Sequence, residues 1–415
     1  MNATPTVLLV GTADTKGEEL AFMRERIVRD GGRVLLMDVG VLGRPALPVD
    51  IGAAQVAQAG GDTLDAIAAA GDENVAMSRM AAGAAALAAQ FCREGRIDGV
   101  LALGGTMGTD LALDVTSALP LGMPKVLVST IAHSHLIPPE RLAPDLIAVL
   151  WAGGLYGLNA VCRSILSQAC GAVLGACRAA TPIDESTPTV AITSFGTSAL
   201  TYITRLKPAL EARGYEVPVF HCTGMGGRAF ESLARQRRFV AVLDLCLAEV
   251  ADEVHGSIVT SGPDRLEGAG ETGIPQIVAP GGADQIDLQT WKTVPAEYSD
   301  RRYHAHNRLL ASVLMAPEER RRTALTIGEK LARAKGPVAF VSPRGGIEAW
   351  DRAGGPLHDP AGLQAFFDEL ARAIRPPVVH HVLDAHINDH EFSDRVLAIF
   401  DAWVEQGVVA RGQPT

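Results

Sequence analysis

Cysteine is scarce: the 415 residues hold six, at positions 92, 162, 170, 177, 222 and 246, and no two have the close spacing of a zinc site. That density is also far below what staples a disulfide scaffold, so reduced thiols in a cytoplasmic compartment are expected. Positive charge is outnumbered, 37 Lys and Arg against 47 Asp and Glu, for a formal net charge of −10. Such a balance gives no general attraction for a phosphate backbone, and nucleic acid is not an expected partner. Long apolar runs are missing too. The opening MNATPTVLLVGTADTKG has no basic stretch and only about five apolar residues together, too few for a signal peptide or a membrane span, so no membrane partner is expected.

What is present suits a cored, two-domain protein. Hydrophobic residues make up 47% and charged residues 20%, the balance of folded rather than disordered chains. The length exceeds what one core organises. Short β-branched runs recur, each followed by a glycine-bearing loop and a stretch of helical periodicity, which is the rhythm of a parallel sheet. In the first half the predicted strands are 6–10, 33–39, 99–103, 125–130 and 146–150, with helices over 16–30, 74–94, 106–117 and 155–178. These strands are too apolar to have a wet face, so helices should cover both sides. The helix over 155–178 is apolar or small around much of its circumference, which predicts burial between layers or subunits. ATPIDESTPT, residues 180–189, breaks the periodicity. The expected domains are therefore 1–183 and 187–415. Predicted strands of the second are 190–193, 216–220, 240–243, 256–260, 276–278, 338–341 and 378–383, with 280–304 read as a loop over a ligand site. Arg320, Arg321 and Arg322 follow Glu318 and Glu319 and read as a solvated helix face. The fold class is α/β: two Rossmann-like domains with mainly parallel sheets and helices on both faces.

In open α/β sheets ligands sit beyond the carboxyl ends of strands, where loops and helix N-termini present unpaired N–H groups. The loop after the first strand offers Gly11 for a tight turn, Thr12 and Thr15 as donors, Asp14 or Thr15 as a helix cap and Lys16 to neutralise a phosphate. A second such loop, Gly104, Gly105, Thr106, Met107, Gly108 and Thr109, opens a helix after the third strand. Asp38 ends the second strand, where an acid often meets a ribose hydroxyl. Ser129, Thr130, His133, Ser134 and His135 form a polar cluster after the fourth. In the second domain Ser194, Gly196 and Thr197, then Gly281 and Gly282, then Arg344 and Gly345 repeat the pattern and are expected to bind a substrate. His386 and His390 share a helical spacing suited to metal, but Asn388 or Asp389 as a cap and His380 and His381 on a strand explain them as well, and no protein-held metal is expected. The loop after the first strand is neither GxxxxGK[ST] nor GxGxxG, and the chain has no GxSxG, HExxH or CxxC motif.

GTADTKGEEL at 11–20, VLALGGTMGTDLA at 100–112, SFGTSALT at 194–201, HCTGMGGRAFE at 221–231, PGGADQIDL at 280–288, SPRGGIEAWD at 342–351 and DAHINDHEFSD at 384–394 together resemble one family. The chain is similar to bacterial proteins related to the amino-terminal ATP-binding domain of the tomato tobamovirus-resistance protein. The resemblance covers nearly the whole chain. It implies two Rossmann-like subdomains, ATP in the first of them, with or without magnesium, and a homodimer. It also implies a separately encoded TIM-barrel partner, because the plant protein continues into a barrel. On this reading Gly11, Thr12, Asp14, Thr15, Lys16 and residues 104–109 contact the nucleotide. The competing expectation is a small-molecule enzyme with its chemistry between the domains, on ATP or a phosphorylated or carboxylate substrate, drawing on Ser194, His221, Asp284, Arg344 and Asp384.

Overall fold

Uninterrupted apolar strands bury both of their faces, and the computed structural model, which describes residues 4–45, 47–181, 186–196 and 200–413, shows what covers them. The chain divides into two compact units after residue 183. The first contains β1 (Thr6–Gly11), α1 (Gly17–Arg29), β2 (Arg33–Asp38), α2 (Ala53–Ala59), α3 (Leu64–Ala68), α4 (Glu73–Arg93), β3 (Gly99–Gly104), α5 (Thr106–Ser117), β4 (Lys125–Ser129), β5 (Leu146–Leu150) and α6 (Ala160–Ala179). Its sheet runs β2-β1-β3-β4-β5 and every pairing is parallel. Successive side chains on a strand point to opposite faces. Leu8 and Val10 accordingly join Val100 and Ala102 in a core under α2 to α5, while Val7 and Leu9 join Leu101 and Leu103 under α1 and α6.

Helix α6 is narrower in its burial than its composition predicts. Cys162, Leu166, Ala169, Cys170, Val173 and Leu174 form one buried stripe, and Val161 on the other side is 58% exposed. Small residues all round a helix do not reveal which side faces the sheet.

The second unit contains β6 (Val190–Ser194), α7 (Leu200–Glu211), β7 (Val219–His221), α8 (Met225–Arg235), β8 (Ala241–Cys246), α9 (Ala248–His255), α10 (Gly268–Thr272), β9 (Gln276–Gly281), β10 (Gln285–Gln289), β11 (Tyr303–Ala305), β12 (Leu310–Leu314), α11 (Pro317–Ala332), β13 (Val338–Pro343), α12 (Pro360–Ala373), β14 (Val379–Leu383) and α13 (His390–Glu405). Its large sheet runs β14-β13-β9-β8-β6-β7, all parallel. Two cores again sit on its faces, one with α7 and α13, the other with α9, α11 and α12.

Three expectations change here. Residues 256–260 form no strand: Gly256, in the left-handed region, ends α9, and the hydroxyls of Ser257 and Thr260 bond to Asp287 O and Glu253 instead of leaving a free ladder edge. The segment 280–304 is not one loop, because β10 and β11 pair antiparallel with β12 in a small sheet. Ile286 and Val313 face Ala251 and Met315 there, which is the apolar contact that fixes it. Arg320 is not solvated but 2% exposed, paired with Asp284 and Asp359.

The electrostatic knot of this unit is Arg265, which is fully buried. Its guanidinium donates to both oxygens of Asp244 at 2.6 Å, to Glu231 at 3.1 Å and to Glu249 at 2.9 Å. Backbone amides of Gly224 and Gly227 complete Glu249, and those of Leu266 and Gly268 complete Glu231. Buried ions persist when paired and hydrogen-bonded in this manner.

Candidate functional site

The strand order of the first unit reverses direction between β1 and β3, the place where doubly wound sheets open a crevice at their carboxyl edge. The structure has a cavity of about 560 Å3 there. Thr12, Asp14, Thr15 and Lys16 line it from the β1 loop, and Gly104, Gly105, Thr106, Met107 and Gly108 from the β3 loop. Val39, Val41, Leu42, Ile67, Ala76 and Met77 form an apolar wall. A neighbouring cavity of about 350 Å3 shares Glu73, Met77, Thr106 and Met107 and reaches Arg141, whose guanidinium is held by Asp110 and Asp114.

The two loops contribute differently. In the β1 loop Thr12 O accepts the amides of Thr15 and Lys16 at 3.2 and 2.8 Å, and the Thr12 and Thr15 hydroxyls bond each other at 2.7 Å. Ala13 N–H donates to Asp38 Oδ1 at 2.9 Å. Internal capping thus takes up most of the donors this loop has. Lys16 Nζ donates to Leu155 O at 2.5 Å and lies 4.9 Å from the Tyr156 ring centre. Gly11 is outside the cavity, where a Cβ would meet Leu20 at 2.9 Å, so it serves the packing of α1 on β1.

The β3 loop keeps its donors. Helix α5 starts after Gly105 with no side-chain cap and no acidic residue in its first turn. Thr109 N–H is the first amide to reach a helical carbonyl, Gly105 O at 2.8 Å, so those of Thr106, Met107 and Gly108 have no intrahelical acceptor. Gly104 permits the turn: a Cβ there would stand 2.3 Å from Gly108 C. Thr109 is fully buried and joins Gly104 O and the Ser129 hydroxyl, the latter at 2.7 Å, fixing the helix start to β4.

Asp38 and Asp14 act on the backbone. Asp38, 2% exposed, accepts from Gly40 as well as Ala13; burial pushes its carboxyl up, and these two bonds pull it back in part. Asp14 Oδ2 takes the amides of Leu42 and Gly43, each at 3.1 Å, while its Oδ1 is buried with no partner among the described residues. With Asp72 and Glu73, the cavity lining holds three carboxylates against the one ammonium of Lys16.

In the second unit Ser194, Gly281, Arg344 and Gly345 all lie at the carboxyl ends of β6, β9 and β13. Packing already uses the glycines: a Cβ on Gly281 would stand 2.3 Å from Leu245 O, and one on Gly345 2.8 Å from His386 N. Gly282 and Gly196 both have left-handed φ angles. Gly196 N–H donates to His221 Nδ1 at 3.1 Å, and Arg344 donates to Gln364 at 2.7 Å. Thr197 lies outside the described residues. His386 is buried and bonds Asp351 Oδ1 and Glu348 O, a structural position.

The apolar wall escaped the sequence reading because α2, α3 and α4 between β2 and β3 show only amphipathic periodicity. Nothing in that pattern separates Met77, which faces the cavity, from Met80, which faces the core.

Relatives agree with the resemblance in the motifs. The uncharacterised protein family UPF0261 matches through its N-terminal domain over residues 5–182 and its C-terminal domain over 187–404. A UPF0261 protein of Brucella melitensis is 52% identical over 99% of this chain and 98% of its own. One from Clostridium tetani is 36% identical over 93% and 96%. The ToMV resistance protein Tm-1(GCR237) of Solanum lycopersicum is 32% identical over 75% of this chain and 42% of its own length. Among solved structures, a putative UDP-N-acetylglucosamine 2-epimerase from Listeria monocytogenes is 9% identical, covering 66% of this chain and 79% of its own, at a TM-score of 0.23. That superposition bears on neither site nor substrate. The chain belongs to the UPF0261 family.

Proposed function

We propose that the first unit binds ATP as its magnesium complex in the cavity at the β1/β3 edge. The observation that carries this reading is the uncapped start of α5, whose free amides and positive dipole end open on a cavity with an apolar wall. A helix start of this kind favours negative charge, and the wall suits a purine ring. The triphosphate would meet the amides of 106–108 and the hydroxyl of Thr106, with the base against Val41, Leu42 and Met77.

Magnesium enters on charge grounds. Three lining carboxylates against one lysine oppose a bare tetra-anion, and the unpartnered Asp14 Oδ1 is an acceptor that no phosphate oxygen satisfies. The lining fits an oxygen-preferring cation held mainly by phosphate, with Asp14 as its protein contact.

Calorimetry with ATP, with and without magnesium, tests this. Wild type is expected to bind only the magnesium form, and Thr106→Asp, which places a carboxylate at the helix start, should lose at least about tenfold in affinity, or 1.4 kcal/mol, without loss of stability. Equal binding by both proteins, or none by wild type, would overturn the reading. The homodimer and the barrel partner remain part of this proposal through the plant relative alone.

A further inference from the structure

The second unit buries an unusual concentration of unsatisfied polar atoms. Asp284, Gln285, Asp287 and Glu348 are each 1–2% exposed. Among the described residues, partners are lacking for Asp284 Oδ1, Asp287 Oδ2, both carboxyl oxygens of Glu348, and both the Oε1 and Nε2 of Gln285. Buried polar groups are nearly always hydrogen-bonded, so such a gathering points to something that completes it. Gln285 and Asp287 lie two apart on β10 and therefore on one face, where Asp287 stands opposite Ser312 of β12. Glu348 lies within electrostatic reach of Asp284 and Asp287.

A hydrogen-bond chain gives this face a direction. Ser312 has one hydroxyl hydrogen, which goes to Asp287 Oδ1. Its oxygen then accepts from His306 Nε2–H at 2.7 Å. His306 is left with a bare Nδ1, buried and without a partner. Burial and the nearby His304 push the ring down to about 4, so it is neutral at pH 7. His306 stacks on Trp350 at 3.9 Å between ring centres, and Phe195 meets Trp350 edge-on at 5.7 Å.

We infer that this polar face, closed by Glu348 and rimmed by Trp350 and His306, is a binding site for a neutral polyhydroxylated ligand of the sugar or polyol class. The choice follows from the mixture of empty partners. An anion accepts only and finds a single unmet side-chain donor, the Gln285 NH2, among the oxygens of Asp284, Asp287 and Glu348. A metal ion satisfies acceptors only, and among the described residues no three His, Cys, Asp or Glu side chains stand in a metal-holding group. An ammonium donates only and leaves the Gln285 NH2 without an acceptor. Hydroxyls both donate and accept, which matches carboxylate oxygens beside an amide, and the aromatic rim suits the C–H face of a sugar ring.

The site is independent of the nucleotide reading. Saturation-transfer NMR on the full chain with D-glucose, D-xylose and ribitol as probes, and calorimetry with magnesium chloride, putrescine and inorganic phosphate, tests it. At least one polyol should give a signal in wild type that falls more than fivefold in Glu348→Leu and in Gln285→Leu. Both variants should also melt at or above the wild-type temperature, since they remove unsatisfied groups rather than contacts. A polyol signal unchanged in the two variants overturns the placement. Binding of magnesium or putrescine alone overturns the ligand class, and silence towards every polyol overturns the site. Should Glu348→Leu fail to fold, Gln285→Leu decides alone.

Discussion

The two units use the same sheet grammar and leave different groups unmet, mainly backbone donors in one and side-chain polar atoms in the other. At the carboxyl edge of the first, backbone donors at the start of α5 have nothing to donate to. On and beside the small sheet of the second, carboxyl oxygens and both ends of the Gln285 amide have no partner among the described residues. The difference lies in what each loop does with its own hydrogen bonds. The first exposes a helix start because glycine, and not an Asp or Ser, stands at its cap. The second folds an extra antiparallel sheet onto the edge and turns its polar alternation inward. One chain thus carries an edge with free backbone donors and a buried face with free side-chain oxygens and an amide.

The sharpest break of that comparison is within the second unit, between carboxylates that have a cation and carboxylates that have none. Arg265→Met should cost about 3–5 kcal/mol in urea denaturation, because it strands Asp244, Glu231 and Glu249 together. Glu348→Gln should be neutral or stabilising, as Glu348 has no partner to lose. Similar losses from both would show that the Glu348 pocket is satisfied after all.

At the first edge the expected effect is on binding alone. Thr106→Asp should abolish most ATP affinity while a carboxylate in the first helical turn adds roughly 0.3–1 kcal/mol of stability. A fall in melting temperature would mean that the substitution disturbs the turn, and Thr106→Glu then serves as the check.

Protonation separates the regions further. Burial pushes the Asp287 carboxyl up to about 7 from an ordinary 3.8. Between those values the native state holds a proton that the unfolded state has released, so this group's contribution is greatest below 3.8 and is lost as pH rises through about 7. The melting temperature of Asp287→Asn, minus that of wild type, should therefore rise from pH about 5 to about 8. His306, pushed down to about 4, works in the other direction, but it is common to both proteins and cancels in the difference. A flat difference would place Asp287 in an ordinary solvated state.

How far the sequence foretold this depends on the kind of contact. The βα rhythm is local, and strands such as 99–103 and 125–130 are legible because a both-sides-buried strand is mostly apolar, with polar residues such as Lys125 and Ser129 kept at its ends and hydrogen-bonded. The two loops of the first edge were legible as loops beyond parallel strands, but not which of their residues open on the cavity, since Gly11 serves packing and Thr109 ties α5 to β4. Inward polar alternation is different. Gln285, Asp287 and Gln289 read like the wet face of a surface strand, and period two says which residues share a face but not which face is covered. Arg265 was invisible because its partners, Glu231, Asp244 and Glu249, come from separate elements. The solvated reading of Arg320 failed likewise, since Asp359 is 39 positions away.

The smallest effect is expected at Lys16, the residue that the sequence makes most tempting. Its ammonium is already engaged by Leu155 O and lies against the Tyr156 ring, so binding phosphate means giving up or sharing those contacts. A partly exposed charge of this kind is worth about 0.5 kcal/mol and is screened by salt. Lys16→Ala should then weaken ATP binding roughly two- to threefold at low salt and less near 0.5 M, where the Debye length is only about 4 Å. The loss in Thr106→Asp should persist under the same salt, because it blocks backbone donors at contact distance. If instead Lys16→Ala proves the more damaging and the less salt-sensitive, the anion is held by the lysine of the β1 loop, and the free helix start of α5 is not what recognises it.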